Sequence, residues 1–88
     1  MASEVGMRVA ETILEDRKNE GDFQDAEPLS HYLLGSYAPG SGLYEESRRV
    51  AETVLAKLAE ESAGEETTAL AEYIDEEMGA VRDKATDG

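Results

Sequence analysis

The sequence contains no cysteine and no tryptophan, one phenylalanine and two prolines. Without cysteine there is no disulfide framework, no thiolate zinc site and no thiol nucleophile. With so few large aromatics, a core must be filled by Leu, Val, Ile, Ala and Tyr. No apolar run approaches the roughly 20 residues of a membrane-spanning helix. Met1 to Glu4 leads into mixed polar residues without the apolar stretch of a secretory signal, so the expected location is the cytoplasm. Basic residues are scarce: 8 Lys and Arg face 21 Asp and Glu, a net charge of −13. Such a surface repels nucleic acid and anionic lipid and attracts cationic partners. Nowhere do apolar and polar residues alternate with a period of two, so no strand is expected.

What is present reads as helix. Hydrophobic residues make up 40% of 88 residues, enough for one core and too many for a disordered tail. Ser3 is a cap for a first helix from Glu4 to about Asn19, with Val5, Val9, Ala10, Ile13 and Leu14 at helical spacing. Gly21 and Asp22 end it, and Asp22 to Ala26 is a loop. Pro28 suits the first turn of a second helix, on which Leu29, Tyr32, Leu33 and Tyr37 share a face. The segment Ala38-Pro39-Gly40-Ser41-Gly42 is the clearest breaker in the chain. Ser41 then caps a third helix, Leu43 to about Ser62, with a stripe of Leu43, Val50, Val54 and Leu58. Gly64 reads as its C-terminal stop. A fourth helix, about Glu65 to Lys84, carries Leu70, Ile74, Met78 and Val81, flanked by Tyr73. Ala85 to Gly88 are expected to fray.

A repeat links the two halves. Arg8-Val9-Ala10-Glu11-Thr12-Ile13-Leu14 returns 41 residues later as Arg49-Val50-Ala51-Glu52-Thr53-Val54-Leu55. At the same offset Leu29 matches Leu70, Tyr32 matches Tyr73 and Leu33 matches Ile74. Helices of low diversity resemble one another readily, but one offset shared by two tyrosines and a seven-residue run favours duplication. The expected fold is all-α: a single domain, 1–88, forming a compact four-helix bundle from two similar hairpins, about 4–37 and 43–84, joined by a hinge at 38–42. Such hairpins can also exchange between chains, giving a homodimer.

No constellation carries chemistry. His31 lies four residues after Glu27 and, with Glu72 at the repeat-equivalent position, gives the beginnings of a ligand set. No second histidine or HExxH spacing completes it, so a surface histidine is the expected role and no metal or other cofactor is expected. The carboxylate pairs Glu11/Glu15, Glu61/Glu65 and Glu72/Glu76 lie outside the apolar stripes and read as solvated acidic faces. Gly35, Gly40 and Gly42 lack the Gly-Lys-Ser/Thr of a phosphate loop, and Ser30 and Ser36 near His31 lack a nucleophile elbow. No enzyme is expected.

The expectation that survives is interaction. Tyr32 and Tyr73 should pack at the core edge, whereas Tyr37 and Tyr44 flank the hinge, where tyrosine is a good anchor for a partner. The acidic tract from Glu60 through Glu77 has no basic residue, and Glu72, Asp75 and Glu76 share one helix face. Partner-binding residues are therefore expected among Glu65, Glu66, Glu72, Asp75, Glu76, Tyr37 and Tyr44. The function this implies is a small acidic inhibitor, immunity or antitoxin-like protein, or nucleic-acid mimic, docking on a basic protein surface. Two other readings compete: adaptation to a high-salt habitat, and a structural dimerisation module.

Overall fold

The computed structural model describes residues 2–60 and 67–87, and the chain's apolar stripes decide its arrangement. Helix α1 (Glu4–Lys18) begins at its expected cap, with Ser3 Oγ accepting the Gly6 N–H at 3.0 Å. A short 3₁₀ turn (Asp22–Gln24) follows, then α2 (Ala26–Tyr37), α3 (Tyr44–Glu60) and α4 (Thr67–Asp87). No strand occurs among the described residues. None of their helices is long and apolar enough to cross a membrane.

Helix α2 has Asp25 at its cap position, and Pro28 falls within the first turn as its residue type suggests, where a missing N–H costs nothing. Boundaries differ from the sequence reading in two places, each with a local cause. Ser41 does not cap α3. Its hydroxyl accepts the Leu43 N–H at 3.4 Å, and the Leu43 carbonyl accepts the Ser47 N–H that starts the helix. At the other end α4 continues through Ala85, which packs against the core, to Asp87 instead of fraying. The expected stop at Gly64 lies outside the described residues.

One buried cluster holds the bundle together. It takes Val9, Ala10 and Ile13 from α1, Leu29, Leu33 and Tyr37 from α2, Val50, Ala51 and Val54 from α3, and Ala71, Ile74 and Met78 from α4. Val5, grouped with the first stripe by spacing, stands 38% exposed instead. The radius of gyration is 12.0 Å. A fully packed chain of this length has about 12 Å, so the four helices form one body and not two separate hairpins.

The pairing of helices differs from two back-to-back hairpins. Helix α1 lies mainly along α4, and α2 mainly along α3, while α1 and α2 touch only slightly. The 3₁₀ turn between α1 and α2 packs against both helices, and Phe23 stacks on Tyr32 with ring centroids 4.9 Å apart. Asp16 accepts the Phe23 N–H at 2.9 Å. The principal contacts therefore run between the halves.

Positions 41 apart are nevertheless alike in environment. Val9 and Val50, Ala10 and Ala51, Ile13 and Val54, Leu29 and Leu70, and Leu33 and Ile74 are all buried. Thr12 and Thr53 each donate a hydroxyl to the carbonyl four residues earlier, Arg8 and Arg49. Exchanging α1 for α3 and α2 for α4 maps the α1–α4 contact onto the α3–α2 contact, as an approximate twofold requires. These are properties of the packing; descent from a duplicated hairpin is a reading of the sequence.

Candidate interaction surface

The residues singled out in the sequence divide into four groups, Tyr44 standing by itself. Glu72 and Glu76 are exposed on α4, one helical turn apart. Glu65 and Glu66 lie outside the described residues. Asp75 and Tyr37 are brought together, but with each other, Tyr37 buried and Asp75 partly exposed.

Tyr37 is buried at 6% exposure, contrary to the expectation of an open hinge tyrosine. Its hydroxyl donates to Asp75 Oδ1 at 2.6 Å. The same oxygen receives the Ser3 hydroxyl at 2.8 Å, and Asp75 Oδ2 receives the Ser3 backbone N–H at 2.6 Å. One carboxylate thus ties the start of α1 and the end of α2 to the middle of α4. Burial by itself raises the Asp75 pKa. The bonds from Tyr37 and Ser3 outweigh that and, helped by Arg82, hold it below the ordinary carboxylate value. Burial, then the bond to Asp75 and its negative charge, push the Tyr37 hydroxyl well above the usual tyrosine range.

Gly6 belongs to this clamp. A Cβ there would lie 2.5 Å from both Asp75 carboxylate oxygens, so a side chain must displace a group held by three hydrogen bonds. At Gly79 of α4 a Cβ would meet nothing within 4 Å. The two glycines therefore answer oppositely to alanine. Gly79→Ala should stabilise the protein by about 0.5–1 kcal/mol, the helix-propensity gain. Gly6→Ala should destabilise it by about 1 kcal/mol or more despite that same gain, because charge-assisted bonds of about 1.5–3 kcal/mol each are disturbed. Denaturant midpoints of the two variants check the signs.

Tyr44 is exposed, at 54%. It stands at the start of α3 beside His31 of α2, ring centroids 5.4 Å apart and tilted by 57°. Together with Glu27, Ser30, Glu45 and Arg48 they line an open groove of about 260 Å³. That is smaller than the roughly 300–1,000 Å³ of small-molecule sites. The Ser30 hydroxyl donates to the Glu27 carbonyl at 2.8 Å, so it is committed to its own helix. Among the described residues no three His, Asp or Glu side chains converge as a metal site would need.

Some charges are taken up within the fold. Lys84 Nζ meets Glu46 Oε2 at 2.8 Å, joining α4 to α3, and this hydrogen bond lowers the Glu46 pKa. Arg48 pairs with Glu52 at 3.5 Å, with both side chains more than half exposed, a pair worth a few tenths of a kcal/mol. The Arg17 guanidinium donates to the Leu58 carbonyl at 3.4 Å near the end of α3. Lys57 lies 4.9 Å from the centre of the Tyr73 ring. Tyr73 and its counterpart Tyr32 are half-buried, one covered by a cation and the other by Phe23.

The chain matches no protein-family model, and no curated protein and no solved structure is significantly similar to it.

Proposed function

We propose that this protein is a non-enzymatic acidic interaction protein of the cytoplasm that docks on a basic protein surface, as an inhibitor, an immunity or antitoxin-like protein, or a nucleic-acid mimic. The observation that carries the reading is the surface charge. Eight cations cannot neutralise 21 carboxylates however they pair, and Glu11 and Glu15 on α1 and Glu72 and Glu76 on α4 are exposed. Carboxylates one helical turn apart offer a regular row of negative charge to a cationic partner. The groove beside Tyr44 adds an aromatic anchor of the kind that concentrates binding energy. Long-range attraction of this sort acts mainly on the association rate and is lost as salt screens it, over about 8 Å at 0.15 M and about 3 Å at 1 M.

The test uses Glu72→Gln/Glu76→Gln, which keeps the shape of both side chains and leaves Asp75 in its clamp. A basic protein captured by the wild-type chain from a lysate of the producing organism should associate with the variant about ten-fold more slowly at low salt. The difference should fade above about 1 M salt. Equal association rates for the two chains at low salt would sink this assignment of the surface.

A high-salt habitat is the second reading, favoured by the scarcity of lysine, three against five arginines. The excess of Glu over Asp, 15 to 6, speaks against it.

A further inference from the structure

The largest contacts of the bundle cross the short bridge 39–42. Helix α1 rests on α4, and α2 rests on α3 and also touches α4. The polar contacts follow the same division. Ser3 and Tyr37, before the bridge, bond to Asp75 beyond it, and Arg17 bonds to the Leu58 carbonyl beyond it. Helices α1 and α2 of half one touch each other only slightly. Each half is therefore completed chiefly by the other.

The bridge is a tight reversal. The Ser41 N–H donates to the Ala38 carbonyl at 3.2 Å, and Gly40 and Gly42 take φ of +76° and +78°. A Cβ at either glycine would meet nothing within 4 Å. A side chain there would thus be resisted by the backbone conformation alone, and only while the reversal is closed.

We propose that the two halves exchange between chains through this bridge, so that α1 and α2 of one copy dock on α3 and α4 of a second. The partner is a second copy of this chain, and the interface reuses the contacts of the monomer with the bridge opened. Within one chain the short bridge holds the halves at an effective concentration on the order of millimolar, which favours the closed monomer in dilute solution. Anything that strains the closed bridge, and not the halves, shifts the balance to the dimer. This inference is independent of what the acidic surface binds.

Gly40→Val/Gly42→Val strains the closed reversal, and deletion of residues 40–42 removes it. Light scattering behind a sizing column should show dimer in both. For the double valine variant the dimerisation constant should rise about a thousand-fold or more, on the order of what four relieved left-handed residues supply. To identify exchange, the valine variant is made with Arg17→Cys in one batch and Ala59→Cys in another, then mixed under unfolding conditions and refolded. A short bis-maleimide should join unlike chains, because residue 17 of one copy then lies near residue 59 of the other. Two results overturn the proposal. One is that both bridge variants stay monomeric at every concentration, with only a lowered melting temperature. The other is a dimer in which the reagent joins no chains.

Discussion

Ile74→Ala is expected to cost about 2–5 kcal/mol of folding stability. Ile74 is fully buried at 0% exposure on α4, the helix that touches each of the other three. Removing its side chain leaves a cavity that four rigid helices cannot collapse around easily. Domains of this size sit low in the roughly 5–15 kcal/mol range of native stabilities, so one such cavity takes a large share of the total. At about 4–8 °C for each kcal/mol, the thermal midpoint should fall by about 8 °C or more. Val5→Ala is the control: at 38% exposure it should change stability by less than about 0.5–1 kcal/mol. Equal losses at the two positions would mean that the core has been misplaced.

The second large effect belongs to Asp75. In Asp75→Ala the Tyr37 hydroxyl and both Ser3 donors lose their acceptor at once, and Tyr37 is buried where water does not readily replace it. The expected loss is about 2–4 kcal/mol at neutral pH, against about 1 kcal/mol for Tyr37→Phe, which removes one donor and leaves the carboxylate otherwise bonded. Its pH dependence identifies the mechanism. The Asp75 pKa is lower in the folded state, so its contribution is fully present above the unfolded carboxylate value of about 3.9 and is lost as pH falls through the folded value. Acid also relieves the self-repulsion of an anionic protein, which acts in the opposite direction across the whole chain. The wild type minus Asp75→Ala difference isolates the clamp. That difference should be constant from pH 5 to 8 and shrink below about pH 4. For Tyr37 the sign reverses. Its folded pKa is raised, so its contribution holds below about pH 10 and is lost as pH rises further. Denaturant midpoints across pH check both limbs.

Much of this was legible in the sequence, because helical periodicity and breakers are strong local signals. The stripes through Val9 and Ile13, Val50 and Val54, and Leu70, Ile74 and Met78 are buried as their spacing requires. Ser3 caps α1 as its residue type suggests. Helix pairing was not legible, since periodicity states which face is apolar but not which neighbour covers it. Phe23, read only as part of a loop, stacks on Tyr32 in a turn that packs against both α1 and α2.

The clamp was misread for a different reason. Tyr37 stands four residues beyond Leu33 and eight beyond Leu29, on the core face, and that register outweighs its nearness to the hinge. Asp75 does share a face with Glu72 and Glu76, yet it also lies four residues after Ala71 and three before Met78, both buried. Its place at the edge of the apolar stripe was the available signal, masked by the length of the acidic run. The consequence for the interaction surface is direct. Asp75 is committed to the clamp, so the interaction surface proposed on α4 rests on the exposed carboxylates of its neighbours Glu72 and Glu76.

The central claim is that the acidity of this bundle serves a partner and is not a requirement for folding. Circular dichroism with a thermal melt, recorded near physiological ionic strength and again well above 1 M salt, addresses it most directly. Packing of one continuous core and the Asp75 clamp should suffice at low salt. The expected result is therefore a helical protein with a cooperative transition near 0.15 M, shifted only modestly by more salt. A chain that gains helix or cooperativity only in high salt would contradict the claim and tie the charge to a saline habitat.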